Sequence, residues 1–187
     1  MKNQTEIELI NLNKIIIKEG MDVSFSSYNS SNADMQLGGF SQSSDLKLFY
    51  SNFNPSNFEI NWTIEFLHLY NVEDINQYQN GYKSKLWNNN WLVIGDCSGD
   101  PIIVSLETPS VYYSFHGRGC WDLIEISPNF CLFIKCLSKW IVCRNKFKSI
   151  RSENGIKEEF MGEFLGEISC FLESNYVSNW RKIISEF

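Results

Sequence analysis

Three runs of β-branched and aromatic residues crowd the middle of the chain: Trp91-Leu92-Val93-Ile94, Ile102-Ile103-Val104-Ser105-Leu106 and Val111-Tyr112-Tyr113-Ser114-Phe115. Residues of this kind suit the pleated, half-buried surface of a sheet. The segments between them are shorter than ten residues. That is too short for a parallel crossover, so the three runs predict an antiparallel meander. Upstream, Phe58, Ile60, Trp62, Ile64 and Phe66 alternate with Glu59, Asn61, Thr63 and Glu65. This period of two predicts one continuous strand with an apolar face on the core.

Helical periods surround this block. Ile7, Leu9, Ile10, Leu12, Ile15 and Ile17 lie among charges before Gly20 and predict a first helix over residues 5–19. Residues 20–44 are rich in Ser, Asn and Gly and read as a long loop, with an extended piece near 23–28. Ser44 precedes Asp45-Leu46-Lys47-Leu48-Phe49 as the cap of a short helix that Asn54-Pro55 ends. Another short helix is expected over 72–81, closed by Gly81. From Pro128 the residues Phe130, Phe133, Ile134, Leu137 and Ile141 share a helical face. Phe160, Phe164, Ile168 and Phe171 do the same in a helix over 156–172, and a last helix is expected over 176–184. The fold class expected is α+β, a mostly antiparallel central sheet flanked by helices, with extra C-terminal helices.

With 187 residues the chain is of single-domain size, and its 14 Phe, 8 Tyr and 6 Trp can fill a sizeable core. The net charge of −6 disfavours attraction to nucleic-acid phosphates or anionic lipid and suits a basic partner. The apolar run over 130–143 is broken by Lys135 and Lys139 and is shorter than the ~20 residues a bilayer-spanning helix needs. No membrane association is expected. The six cysteines form no Cys-x-x-Cys pair and have no histidine cluster beside them, so no metal and no cofactor is expected. The segment Met1-Lys2-Asn3-Gln4-Thr5-Glu6 lacks the basic-then-apolar pattern of an export signal, and the expected location is the cytoplasm, with reduced thiols.

Several segments resemble catalytic signatures. Gly95-Asp96-Cys97-Ser98-Gly99-Asp100 is near the nucleophile loop of serine proteases, but Cys97 shifts its register and the only upstream histidine is His68. The same stretch is similar to the nucleophile site of NlpC-type cysteine peptidases, with His116 as the base that would generate a thiolate. In that family the Cys opens a helix, whereas Pro101 and Ile102-Ile103-Val104 demand a strand here. Gly119-Cys120-Trp121 echoes the papain-type Cys-Trp pair, with no histidine after position 116 to act as base. Asp96 and Asp100 lack the repeated spacing of a calcium loop and read better as turn residues. His116-Gly117-Arg118-Gly119 reads as a hairpin tip, with anion binding by its glycine backbone as the alternative. Lys135, Lys139, Arg144, Lys146, Lys148 and Arg151 gather positive charge just before the stripe Glu159, Glu163, Glu167, which suits two helices that complement each other's charge, with nucleic-acid contact as the alternative.

The order of these parts resembles the SUKH superfamily, which spans the fungal Smi/Knr cell-wall regulators and many bacterial toxin-immunity proteins. The resemblance lies in the strand Trp91-Leu92-Val93-Ile94, the turn from Gly95-Asp96 to Gly99-Asp100, the strands that follow, and Trp121 before the helix that closes the unit. It covers residues from about 44 to 140. Ser44-Asp45-Leu46 stands where the family often has Leu-Pro, and the tail over about 146–187 is additional. The resemblance implies one SUKH-like domain over 1–187. It further implies a non-catalytic immunity protein that blocks a cognate protein toxin, a basic nuclease among the candidates, by occluding its active site. The implied contacts are Asp96, Asp100, Tyr112, His116, Arg118 and Trp121, with Trp121 equally suited to the core. The alternatives are a regulatory scaffold of the cell-wall-regulator type and a Cys97/His116 hydrolase.

Overall fold

The computed structural model describes residues 3–62, 66–118, 120–147, 149–152 and 155–186. The first helix, α1 (Gln4–Lys18), is capped by Asn3, whose side chain accepts from the Glu6 N–H, and buries Leu9, Leu12 and Ile16. Residues 20–44 are more ordered than their composition implies. A strand β1 (Ser24–Ser26) falls within the expected extended piece, while a helix α2 (Ser30–Leu37) and a short 3-10 helix (Gly38–Gln42) stand where a loop was expected. Helix α2 has a weak apolar stripe, and only Ala33 and Leu37 are buried. Its start is set instead by Asn29, whose Oδ1 accepts from the Ser31 N–H at 2.9 Å. The next helix, α3 (Ser44–Asn52), is capped by Ser43, one residue before the expected Ser44.

The expected strand over 58–66 is two strands. β2 (Asn54–Ser56) pairs with β1, while β3 (Phe58–Asn61) pairs antiparallel with β4 (Phe66–Leu69). Thr63, Ile64 and Glu65 lie outside the described residues. Phe66 sits opposite Asn61 and is 54% exposed, so the apolar alternation does not carry across to it. Helix α4 (Ile75–Tyr82) contains Gly81 and is not ended by it. The strands β5 (Trp91–Cys97), β6 (Asp100–Ser105) and β7 (Val111–Tyr113) form the expected meander, and β8 (Ile124–Ser127) adds a strand that was not anticipated between Trp121 and the next helix. The main sheet has the order β3-β4-β5-β6-β7-β8, with each neighbouring pair antiparallel.

Beyond the sheet come α5 (Phe130–Lys146), the small hairpin β9 (Arg151–Ser152) with β10 (Gly155–Ile156), α6 (Glu158–Ser169) and α7 (Ser174–Ser185). The architecture is α+β. Helix α5 packs against α1, α3, α6 and strands β3 and β8, so one face of the sheet carries the main core. Trp62, Trp140 and Trp180 meet at its centre, with Trp62 stacked on Trp140 at 4.3 Å and 5.4 Å from Trp180. The C-terminal helices therefore complete this core, since Phe160, Phe164, Trp180 and Ile183 are fully buried in it. The charges of α5 and α6 pair as their sequences imply, Lys139 with Glu167 at 2.7 Å and Lys146 with Glu163. Among the described residues no helix is long and apolar enough to cross a membrane.

The glycines of the central hairpin have separate duties. Ser98 (φ +52°) and Gly99 (φ +93°) form the two-residue connection between the Cys97/Asp100 pair, as a type I′ hairpin turn requires. The expected break over 95–101 thus shrinks to these two residues. Gly95 lies inside β5 at a register shift, where a Cβ would stand 2.2 Å from the His68 carbonyl oxygen and 2.9 Å from a Leu69 methyl. Its role is close approach of β5 to β4.

Three stability outcomes follow from this packing. Gly95→Ala should destabilise the fold by about 1–3 kcal/mol or more, because the clashing atom is backbone and cannot rotate away. Gly99→Ala should cost about 1–2 kcal/mol from its left-handed backbone alone. Trp180→Ala, which empties the centre of the core, should cost about 3–5 kcal/mol. Urea denaturation of the three variants checks the ranking; a Gly95→Ala variant as stable as the parent would contradict the close-approach role.

Candidate functional site

Side chains alternate across a strand, so the face of the sheet turned away from the main core carries a second set. Tyr70 just after β4, Val93 of β5 and Ile103 of β6 form a smaller cluster there with Trp87, and Tyr82, Trp91, Tyr112, Trp121 and Leu123 pack around it. Helix α4 is pinned to this side by Gln79, whose Nε2 donates to the Trp91 carbonyl at 3.1 Å and whose Oε1 accepts from the Val93 N–H at 2.8 Å. The pin leaves Tyr78 and Tyr82 over the sheet, four residues and one helical turn apart.

The result is a band of rings. Tyr70 and Tyr78 stack at 4.0 Å with 9° between their planes, and His68 meets Tyr70 edge-on at 5.4 Å. Further along, Trp87 meets Trp91 at 5.3 Å and Trp121 at 5.8 Å, and Tyr82 meets Trp121 at 5.8 Å. Edge-to-face and offset contacts of this kind match the ring quadrupole and make the band rigid. Trp91, Tyr112 and Trp121 are half-buried, and Tyr78 is 38% exposed. The band therefore presents ordered aromatic surface to solvent.

A polar thread runs beneath it. The Tyr70 hydroxyl donates to Asp96 and lies 3.2 Å from the Tyr82 hydroxyl, while Asp96 also accepts from the Gly99 N–H at 3.2 Å. Burial, and then the bond to the Asp96 carboxylate, pushes the Tyr70 phenol well above its ordinary range. Burial likewise pushes Tyr82 up to about 12, although its bond to Tyr70 pulls the other way.

The six residues expected to form one contact surface divide into two groups. Asp96, Tyr112 and Trp121 belong to the aromatic face. Asp100 is 6% exposed and turned toward the core side, where it accepts from the Tyr113 hydroxyl at 2.7 Å and from the His116 N–H at 2.7 Å. Burial first, and Asp100 second, pushes the Tyr113 phenol well above its ordinary range. The His116 ring, 58% exposed, places Nδ1 2.5 Å from Asp100. Arg118 lies 4.3 Å over the Phe115 ring and 3.3 Å from Glu186 beyond α7. Gly119 lies outside the described residues.

The Cys97 side chain is fully buried in the main core, in the environment of an inert structural thiol. Cys120 is exposed, and neighbouring Asp122 raises its pKa, the opposite of what a nucleophilic thiolate needs. Among the described residues no group of three or more His, Cys, Asp or Glu is placed to hold a metal ion.

Tyr70, Tyr78, Tyr82 and Trp87 were not singled out from sequence, and His68 and Trp91 entered only as an upstream histidine and as a strand residue. The signal available was the four-residue spacing of Tyr78 and Tyr82 and the pair of tryptophans that flanks Asn88-Asn89-Asn90. Comparison of the chain with protein-family models, curated proteins and solved structures returns no match.

The raised phenol of Tyr82 fixes the sign of an alkaline effect. Its folded pKa of about 12 exceeds the ordinary 10.0, so its stabilising contribution is complete below pH 10.0 and is lost as pH rises toward about 12. Urea midpoints should therefore fall across this window, and Tyr82→Phe should flatten the fall. A Tyr82→Phe variant with an unchanged alkaline slope would show that the phenol is not held neutral by the fold.

Proposed function

We propose that this chain is a non-catalytic protein-binding module of the immunity type, which holds a basic protein toxin through the aromatic face of its sheet and covers the toxin's active site. The observation that carries the reading is the rigid band of half-exposed rings, Trp91, Tyr112 and Trp121 with Tyr78, on the side of the sheet opposite the helical core. Aromatic anchors with few rotatable bonds dominate the energy of protein interfaces. The charge of −6 speeds encounter with a positively charged partner through steering.

The resemblance of the Gly95 to Asp100 hairpin and its flanking strands to the SUKH superfamily agrees with this role. Burial of Cys97 favours binding over thiol chemistry. A cytoplasmic setting, where thiols stay reduced, suits six cysteines without disulfides.

The test is capture of partners from the protein's own cells with the tagged chain, in parallel with a Tyr112→Ala/Trp121→Ala variant. One large toxin-like protein should be recovered with the parent and lost, by tenfold or more, with the variant. Co-expression of the parent should protect cells that express the captured toxin's active domain. Recovery of cell-wall enzymes in its place would move the assignment to a regulatory scaffold.

A further inference from the structure

The outer face of the β3–β4 hairpin is not filled by the band alone. Beside it lies an open cavity of about 660 Å³ between this hairpin, the segment around Asp22 and the start of α4. That volume falls in the range of sites that enclose a sizeable ligand group. Three carboxylates line it, those of Asp22, Glu59 and Asp74, and its lining contains no lysine or arginine. Asp22 and Glu59 are exposed, and among the described residues neither forms an ion pair with Lys or Arg. The wall is aromatic: Phe66, 54% exposed, and Tyr78, whose ring is held flat against Tyr70. Glu59 stands directly opposite His68 across the two strands, which puts the carboxylate beside the ring edge that ends the band.

Carboxylates around a flat, immobilised ring select for a planar cation. A guanidinium can stack on the Tyr78 face while its N–H fork bonds carboxylate oxygens, and it sheds water more readily than an ammonium does. We infer that this cavity receives an arginine side chain of the basic protein partner, with Glu59 and Asp22 as its charge acceptors and Tyr78 as its stacking surface. The inference rests on the protein-binding role proposed above and assigns the partner's chemistry at one point of the interface. The cavity continues the aromatic face through Tyr70 and Tyr78, so one partner can engage both.

The test uses the full chain and a capped Gly-Arg-Gly peptide, with Gly-citrulline-Gly and Gly-Lys-Gly as controls, followed by NMR. The arginine peptide should shift the resonances of Glu59, His68 and Tyr78 saturably. The citrulline peptide should not, and the lysine peptide should bind several-fold more weakly. Asp22→Asn/Glu59→Gln, at two exposed positions, should keep the folded spectrum and weaken arginine binding at least tenfold; Tyr78→Leu should weaken it with both carboxylates intact. Absence of saturable shifts, equal binding of citrulline, or equal binding of lysine would overturn the assignment. Such a result would leave the proposed role standing if the parent still captures its toxin through Tyr112 and Trp121. Loss of that capture with arginine binding intact would instead overturn the role.

Discussion

The fold depends on how the two edges of its sheet are closed by indole rings. Trp140 of α5 donates its Nε1 proton to the Asn61 carbonyl of edge strand β3 at 2.9 Å, and Trp180 of α7 donates to the Ile126 carbonyl of edge strand β8 at 2.8 Å. Asn179 adds a bond to the Glu125 carbonyl at 2.8 Å. An open edge invites pairing with another chain, and covering it with a helix removes that hazard. The same two indoles meet Trp62 at the centre of the core. Burial of large apolar area and satisfaction of edge carbonyls are thus achieved by the same side chains, which ties α5 and α7 to opposite ends of the sheet.

This arrangement frees the other face. Because α1, α3, α5, α6 and α7 all gather on one side, the second side is covered, among the described residues, chiefly by α4 and the loops around Trp87 and Trp121. Its rings are packed well enough to be rigid and not deeply enough to be withdrawn from solvent. The buried core and the open aromatic face are consequently separated by the thickness of one sheet. The Asp96 to Tyr70 to Tyr82 thread fastens the central hairpin to α4 and sets the floor on which the exposed rings stand.

Much of the fold was legible because it is periodic. The meander followed from Trp91 to Phe115, and the helical faces of α5 and α6 followed from the spacing of Phe130 to Ile141 and of Phe160 to Ile168. The failures have physical causes. Strand β8 is four residues long and sits beside a helix with its own apolar run, so no period of two had room to appear. Helix α2 was hidden because its order comes from an Asn cap and from packing against α3, with little apolar stripe to read. Gly95 and Gly99 look alike in a Gly-Asp repeat, yet one admits a neighbouring backbone and the other supplies a left-handed turn.

The candidate site was legible only in part, for a reason that applies to any surface built across strands. Asp96, Tyr112 and Trp121 were found because they lie within the motif-bearing hairpins, whereas Asp100 and His116 share that motif but project toward the opposite side. A hairpin alternates its side chains, so neighbours in sequence part company in space, and residues as distant as Glu59, Tyr78 and Trp121 come to share one face. The sequence by itself determined the α+β class, the meander and the acidic charge, because these rest on local period and composition. Only the tertiary structure decided which face is core and which is open, because that choice belongs to the helices that pack on the sheet from far along the chain.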